Sequence, residues 1–174
     1  LSRYYYAPLG YCLKTVLPSF FLKKGYEITV PDEKKIEHET LVRKPLFLLS
    51  NAKETLNNIL PFIKSAVKSQ GQTLLIVPDT STIEYFYQIL AQNYEVVKIS
   101  SPLSNKNLYS AWKKVSSGQA DIILGTRQAL FMPFNNLKLL IVDDVLHGAY
   151  KSDITPKYNT PDLAKTIADL HGAK

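Results

Sequence analysis

The residues with the clearest chemical potential follow two short apolar runs in the second half of the chain. A Gly-Thr-Arg turn at 125–127 follows the run at 122–124, and the pair Asp143 and Asp144 follows the run at 139–142. In open α/β sheets, ligands bind beyond the carboxyl ends of the strands. This placement is typical of a nucleotide site. The alternative is that polar residues simply terminate two buried strands.

The elements that must position these residues belong to a parallel sheet. Both apolar runs are continuous rather than alternating, as strands covered on both faces require. From Lys44 onward, strand and helix patterns alternate, which predicts a three-layer α/β fold built from right-handed crossovers. The predicted strands span 46–49, 74–77, 94–99, 122–124 and 139–142, with the last two as the central pair.

Helix signals separate these strands. The first helix is expected to start at Asn57 or Asn58 as its cap, because Pro61 is tolerated only in the first turn. The second follows a turn and cap at Pro78–Thr82 and runs to about Ala91, since its apolar residues recur at helical spacing. The remaining helices are predicted with apolar faces at Leu108, Ala111, Trp112 and Val115, and at Leu163, Ile167 and Leu170.

The amino-terminal quarter of the chain has a different character. Residues 3–26 are aromatic and aliphatic with Pro and Gly punctuation, which favours two short helical pieces that end near Gly25. Their aromatic residues and lysines could stack on bases, although the same spacing is typical of core packing. The single cysteine, Cys12, is expected to be a small core residue. Residues 31–44 are charged and indicate a connector or an exposed helix.

Composition narrows the function classes. The chain has 174 residues, of which 45% are hydrophobic, and a formal net charge of +6. This charge favours an anionic partner but is spread along the chain, so any nucleic-acid surface must be assembled by folding. Nothing approaches the roughly 20 apolar residues of a membrane span, and no signal peptide is evident. We therefore expect a cytoplasmic protein with no membrane partner; the first residue, Leu1, indicates that the chain could be part of a longer one.

Several blocks of the sequence resemble one family. GTRQALFMPFNNLKLLIVDD is similar to the GTRSALFxPFxNLxLIIVDEEH block of PriA, the family of primosomal replication-restart helicases (primosomal protein N-prime). GQTLLIVPD, NLYSAWKKVSSGQADIILGTR and the block AYK…KYNTPDLA, which begins at Ala149, match further family blocks in the same order. RYYYAPLGYCLKTVLPSFFLKKG resembles the end of the family's N-terminal DNA-binding domain. The resemblance implies a helical remnant of that domain at 1–30, the charged connector at 31–44 and a RecA-like helicase lobe at 45–174. The resemblance further implies that the family's winged-helix domain is absent or reduced to the charged connector, and we expect its second motor lobe and zinc module to be missing from this chain.

The resemblance also shows where this chain departs from the family. The phosphate loop GxTGSGKT aligns with LSNAKETL at 49–56, so that the degenerate loop contains Ala52, Lys53, Glu54 and Thr55 but no glycine. Such a loop needs glycines to wrap phosphates in backbone N–H groups, a lysine for the β and γ phosphates, and a hydroxyl for Mg²⁺. Thr55 stands at the lysine position and Leu56 at the hydroxyl position. A shifted alignment would give Lys53 the lysine role, still without the glycines.

The acidic motif is eroded in the same way. The family's DEEH becomes Asp143, Asp144, Val145 and Leu146. By resemblance, Asp143 keeps the Mg²⁺ position, which matters only if Mg-ATP binds, and Asp144 replaces the glutamate that orients water. We expect these two aspartates to be vestigial. His147 is offset by one residue and is expected to be solvated, and no metal site is predicted.

These features together predict a PriA-like protein of DNA replication restart that binds DNA without hydrolysing ATP. By resemblance, the DNA contacts are Arg127, Thr126 and Gly125 of the turn and Ser81 and Thr80 of the second helix. No cofactor is expected, and ATP with Mg²⁺ would bind only if the degenerate site still works. The expected partners are forked or single-stranded DNA and primosome proteins. The alternatives are a replisome scaffold, or the first lobe of an active ATP-dependent 3'-5' DNA helicase.

Overall fold

The protein contains a parallel sheet with helices on both faces. The computed structural model describes residues 9–18, 45–46, 52–153 and 155–174. Within them, four parallel strands lie in the order β2-β3-β1-β4. The strands are β1 (Gln72–Ile76), β2 (Val96–Ile99), β3 (Ile122–Gly125) and β4 (Leu137–Val142). The helices are α1 (Leu9–Val16), α2 (Ala52–Lys68), α3 (Thr80–Leu90), α4 (Asn105–Ser116) and α5 (Thr160–His171), with 3₁₀ turns at Arg127–Phe131 and Gly148–Tyr150.

Two apolar clusters, one on each face of the sheet, make the three layers. Helices α2 and α3 pack on one face, where Ile63 and Phe86 meet Leu75 of β1. Helices α4 and α5 pack on the other face, and the cluster there contains Val115, Leu163, Leu74 and Ile123. Because side chains alternate along a strand, neighbouring residues of β1 and β3 supply the two clusters in turn. The predicted RecA-like α/β class with a mainly parallel sheet is thereby confirmed.

The apolar runs at 122–124 and 139–142 form consecutive strands in the sequence, but these strands are not neighbours in the sheet. Strand β1 lies between β3 and β4, with Leu75 opposite Leu124 on one side and Ile141 on the other. The prediction that these runs form the central pair is therefore wrong: among the described strands, β3 is an inner strand and β4 is an edge strand. Crossover connections separate sequence neighbours in parallel sheets, and the hydropathy of a run does not report which strand lies beside it.

Helix α2 starts earlier than predicted. It begins at Ala52, and Pro61 lies inside it rather than in its first turn, so that Asn57 and Asn58 are exposed helical residues and not caps. A proline in a helix interior costs about 3 kcal/mol. Burial of one large aliphatic side chain contributes about 1.5–3 kcal/mol, and the apolar face of α2 buries several. These residues are Leu56, Ile59 and Ile63, and the small Ala66 is buried beside them.

The other helices follow their predicted patterns closely. Asp79 caps α3, and the helix ends at Ala91 as its cap. Helix α4 buries Ala111 and Val115, with Trp112 packed against the same cluster. In α5, Leu163 is buried but Leu170 is 54% exposed, so the last residue of that predicted apolar face was assigned wrongly.

The amino-terminal predictions are tested only in part. Helix α1 is one of the expected helical pieces, and its Cys12 is buried, as predicted. The second helical piece and the connector at 31–44 lie outside the described residues. So do residues 47–49 of the first predicted strand, while Leu46 is described, is not in a strand and is 67% exposed. The domain boundaries remain predictions.

A buried glutamine joins three segments at the amino end of the sheet. The Gln72 side chain is 3% exposed. Its Nε2 donates to the carbonyl oxygens of Val115 and Ala120, at 3.0 and 3.2 Å. Its Oε1 accepts from the backbone N–H groups of Asn135 and Asn136, at 2.8 and 3.2 Å. One side chain thus ties the end of α4 and the segments before β3 and β4 to β1.

Replacing Gln72 by leucine is expected to destabilise the fold strongly. The substitution removes these four hydrogen bonds, and each buried polar group left without a partner costs about 1–3 kcal/mol. We expect the free energy of unfolding, measured by urea denaturation, to fall by about 3 kcal/mol or more. Gln88→Leu is the matched control, because Gln88 is exposed on α3 and surface changes usually stay within about 0.5 kcal/mol. Equal losses in the two variants would refute the role given to Gln72.

Candidate nucleic-acid interface

The carboxyl ends of the four strands are level with one another. Ile76 of β1 pairs with Gly125 of β3 and Val142 of β4, and Ile99 of β2 also pairs with Gly125. The segments that follow the strands therefore meet along one side of the sheet. We call this side the carboxyl edge and define it as residues 77–82, 100–106, 126–127 and 143–147. It contains all the candidate residues except those of the degenerate phosphate loop and Gly125, which ends β3.

Gly125 is required by packing at this edge. A Cβ at this position would overlap the carbonyl oxygen of Ile99 and would lie 2.9 Å from the Ile99 Cβ and 3.0 Å from the Ala129 Cβ. The adjoining backbone is also tied to its neighbours: Val77 N–H donates to the Gly125 carbonyl at 3.0 Å, and Thr126 N–H donates to the Ile99 carbonyl at 3.2 Å. The glycine of the Gly-Thr-Arg turn thus allows close approach of two strands, which its sequence context did not reveal.

Arg127 begins the 3₁₀ turn that follows β3. The residue is half-buried, and its Nη1 donates to the carbonyl oxygen of Lys151 at 3.3 Å. This contact uses one of the five N–H donors of a guanidinium. The rest of the fork can still engage a phosphate, for which a planar bidentate donor is well suited. Thr126, also half-buried, precedes the turn without a side-chain capping bond.

Thr80 and Ser81 lie in the first turn of α3 and are exposed. Beside them, Oδ1 of Asp79 accepts from Thr82 N–H at 2.8 Å and from the Thr82 hydroxyl at 3.1 Å. The hydrogen bond from the Thr82 backbone lowers the pKa of Asp79, so this carboxyl group is ionised at neutral pH. A phosphate that approaches Thr80 and Ser81 therefore meets a negative charge. This part of the carboxyl edge is less favourable to DNA than the part at Arg127.

Tyr150 fixes the end of β4, a role that sequence reasoning missed. Its side chain is 2% exposed, and its hydroxyl donates to the carbonyl oxygen of Asp143 at 2.5 Å. Asp143 N–H in turn donates to the Ile76 carbonyl at 2.9 Å. The Thr160 hydroxyl donates to the Tyr150 carbonyl at 3.0 Å, which connects this residue to α5. Burial raises the pKa of the Tyr150 hydroxyl, so it stays a hydrogen-bond donor.

The paired aspartates bring like negative charges together at the end of β4. Burial is the largest cause that raises the pKa of Asp143, and the nearby carboxylates of Asp144 and Asp79 raise it further. A raised pKa in the folded state means that folding favours the protonated carboxyl group of Asp143. The contribution of Asp143 to the free energy of unfolding is therefore present at low pH. It is lost as the pH rises through the raised pKa. Asp144 also adopts a left-handed backbone conformation, with φ of 46°, which is uncommon for a residue other than glycine.

The neighbouring loop is exposed. His147 lies in solvent, as predicted, and its Nδ1 accepts from Ala149 N–H at 3.2 Å to cap the short turn that follows. Leu146, at the position of the family's motif histidine, is 92% exposed, and Val145 is 36% exposed. Among the described residues, no group of three or more His, Cys, Asp or Glu side chains is arranged to hold a metal ion.

The degenerate phosphate loop does not fit a magnesium–nucleotide complex. Residues 52–55 form the first turn of α2, where a phosphate loop would instead present glycine N–H groups. Glu54 is exposed in that turn and would face the phosphates. Leu56 stands at the position of the metal-binding hydroxyl and is 7% exposed, packed in the same cluster as Ile59 and Ile63. Residues 49–51 lie outside the described part.

The fold defines a class of protein. A four-stranded parallel sheet with helices on both faces is the architecture of a RecA-like lobe. The chain is PriA-like, as its motifs indicated. It is 33% identical to replication restart protein PriA of Haemophilus influenzae over 113 residues, which cover 63% of this chain and 15% of that protein. It is 33% identical to PriA of Thermotoga maritima over 58% of this chain and 14% of that protein.

A longer match includes most of the chain. PriA of Bacillus subtilis is 23% identical over 91% of this chain and 23% of that protein. The chain thus spans less than a quarter of the length of these curated relatives. No protein-family model matches it. Within its described residues, no helix is both long and apolar enough to cross a membrane.

Proposed function

We propose that this chain is a PriA-like DNA-binding lobe that acts in replication restart and does not hydrolyse ATP. The observation that carries the proposal is the combination of a preserved Gly-Thr-Arg turn with a phosphate loop that does not fit a nucleotide. Arg127 lies at the carboxyl edge, and its bond to the Lys151 carbonyl uses only one of its N–H donors. Leu56, by contrast, is buried in the core. The role in replication restart is inferred from the chain's similarity to the replication restart protein PriA of three bacteria.

The proposed DNA contact is to the sugar-phosphate backbone. Contacts of this kind position a protein on DNA without reading its sequence, and a Gly-Thr-Arg turn offers a guanidinium and backbone groups but no reader of base edges. Thr126 and the end of β3 would support Arg127, with Thr80 and Ser81 as secondary contacts. We expect forked and single-stranded DNA as the targets, in a cytoplasmic protein that works beside primosome proteins.

Binding to labelled forked DNA across a salt series tests this proposal. Backbone contacts release counterions, so the logarithm of the affinity should fall linearly with the logarithm of the salt concentration, with a slope of about −0.9 for each phosphate neutralised on a duplex. Measurable binding at low salt with such a slope would support the proposal. Negligible affinity at low salt would refute it.

A second candidate function is a docking scaffold for a replisome protein, and the exposed Leu146 favours it. A leucine that is 92% exposed beside Val145 offers an apolar contact at an edge that carries the Asp79, Asp143 and Asp144 carboxylates. A partner would present an apolar pocket with a basic rim. Single exposed leucines are common, however, so the DNA-binding function is better supported.

Leu146→Ser separates the two functions. The fold should be unaffected, because the side chain makes little contact, while capture of primosome proteins in a pull-down should be lost if the scaffold function is correct. Leu170→Ser on α5 is the matched control, since Leu170 is also exposed. Capture that is indifferent to Leu146→Ser would exclude this loop as the docking site.

A further inference from the structure

Helix α4 lies in a stretch of the described chain that lacks acidic residues. From Ser100 to Ala120 there is no Asp or Glu, while Lys106, Lys113 and Lys114 are all present and exposed. By contrast, α3 and α5 both carry carboxylates, at Glu84 and at 162 and 169. The surface of α4 is therefore locally cationic.

Three of the exposed residues share one face of α4. Lys106, Tyr109 and Lys113 are separated by three and four positions and so lie above one another on the helix surface. We call them the α4 stripe. The ammonium group of Lys113 lies 5.2 Å from the centre of the Tyr109 ring, and the tyrosine is 38% exposed. The opposite face holds the helix on the sheet through Ala111 and Val115.

Two nearby lysines outside the stripe form ion pairs with glutamates. Lys114 forms an ion pair with Glu95 at 2.7 Å, and Lys98 forms one with Glu84 at 2.8 Å. Within the described part of the chain, neither Lys106 nor Lys113 has a carboxylate oxygen within 4.0 Å. Their charge is thus available to an anionic ligand.

The stripe is continuous with the carboxyl edge. Helix α4 begins after Ser104, which caps it from the loop that follows β2. Strand β2 lies beside β3, and the Thr126 backbone is bonded to the end of β2 at Ile99. Lys106 is therefore on the carboxyl edge with Arg127, and Lys113 lies roughly 10 Å farther along the helix at 1.5 Å per residue.

We propose that the α4 stripe is a second contact surface for single-stranded nucleic acid, with phosphates on Lys106 and Lys113 and a base stacked on Tyr109. Single strands suit the stripe because only an unstacked base can lie against an aromatic ring, and grooves that combine lysines with aromatic rings bind them without reading sequence. A strand that leaves the Gly-Thr-Arg turn would continue along α4. The inference rests on the proposed DNA-binding function but involves different residues.

The test compares variants of the full chain in binding to a labelled oligothymidine across a salt series. Tyr109→Ala should weaken binding about tenfold, whereas Tyr109→Phe keeps the ring and should bind as the wild type does. The double variant Lys106→Gln, Lys113→Gln should reduce the magnitude of the salt slope by about 1.4, because each phosphate contact on a single strand contributes about 0.7. The charge-matched control is Lys64→Gln, Lys165→Gln, on α2 and α5.

The outcomes separate this inference from the proposed function. Loss of affinity in Arg127→Ala with none in Tyr109→Ala, or equal slopes in the two double variants, would overturn the α4 stripe alone. Loss in the stripe variants with none in Arg127→Ala would support the stripe and contradict the assigned role of the turn. A wild-type chain that does not bind oligothymidine at low salt would overturn the stripe, and binding to forked DNA would then decide the proposed function.

Discussion

Replacing Arg127 by alanine is expected to weaken DNA binding by about ten- to a hundredfold. The guanidinium is the one cationic group that the Gly-Thr-Arg turn brings to the carboxyl edge, and hydrogen bonds to charged groups contribute about 1.5–3 kcal/mol. The salt slope on a single strand should lose about 0.7 in magnitude, as expected for one phosphate contact. Anisotropy titrations at several salt concentrations measure both quantities.

Two further variants show whether charge or geometry matters. Arg127→Lys retains the positive charge but not the planar fork, so the slope should remain while the affinity falls to an intermediate value. Lys68→Ala removes one charge at the end of α2, next to the amino end of β1, and should have little effect. If Lys68→Ala weakened binding as much as Arg127→Ala, the DNA site would not be at the carboxyl edge.

Mg-ATP is expected to bind this chain at least about a thousandfold more weakly than it binds an intact phosphate loop. A carboxylate about 5 Å from a phosphate charge costs roughly 3 kcal/mol at an effective dielectric of 20. Because the lysine and the hydroxyl are missing, two charge-assisted hydrogen bonds of about 1.5–3 kcal/mol each are lost. Because a ligand that binds only the folded state raises its stability by mass action, millimolar Mg-ATP should leave the melting temperature unchanged.

Lys53→Ala is the informative companion to that experiment. In the shifted alignment, Lys53 takes the role of the phosphate-loop lysine. A saturable rise in melting temperature with Mg-ATP that disappears in Lys53→Ala would show that this alignment is correct and that nucleotide binding survives. The same titration with Mg²⁺ alone accounts for any stabilisation by the metal ion.

Local signals in the sequence predicted much of the fold. The Asp79 cap, the helical spacing on α3 and α4, and the continuous apolar strands all depend on residues that are close in sequence, and each is found in the structure. The start of α2 was predicted wrongly from Pro61, because burial of the long apolar face of this helix outweighs the energetic cost of a proline in its interior. The separation of β3 from β4 could not be predicted, since strand order depends on how crossovers pack.

The common location of the candidate residues was predictable, but the contacts that stabilise them were not. The residues at the ends of the apolar runs do meet along one edge, because parallel strands end together. Gly125 is required because Ile99 lies so close to it, and Tyr150 stabilises the end of β4 through its hydrogen bond to Asp143. Both contacts involve residues that are distant in sequence. Tyr150 had no signal beyond its membership of a family block. Leu56 did have a clear sequence signal, since an apolar side chain at a metal-ligand position cannot coordinate Mg²⁺.

The most direct test of a DNA-binding lobe without ATP hydrolysis is the ATPase rate of the purified chain with saturating DNA. DNA binding is confirmed in the same sample, and Asp143→Ala is measured in parallel. We expect bound DNA together with phosphate release no faster than in a protein-free blank, and the same rate for the variant. DNA-stimulated turnover that Asp143→Ala abolishes would contradict it and would indicate a working first lobe of a helicase.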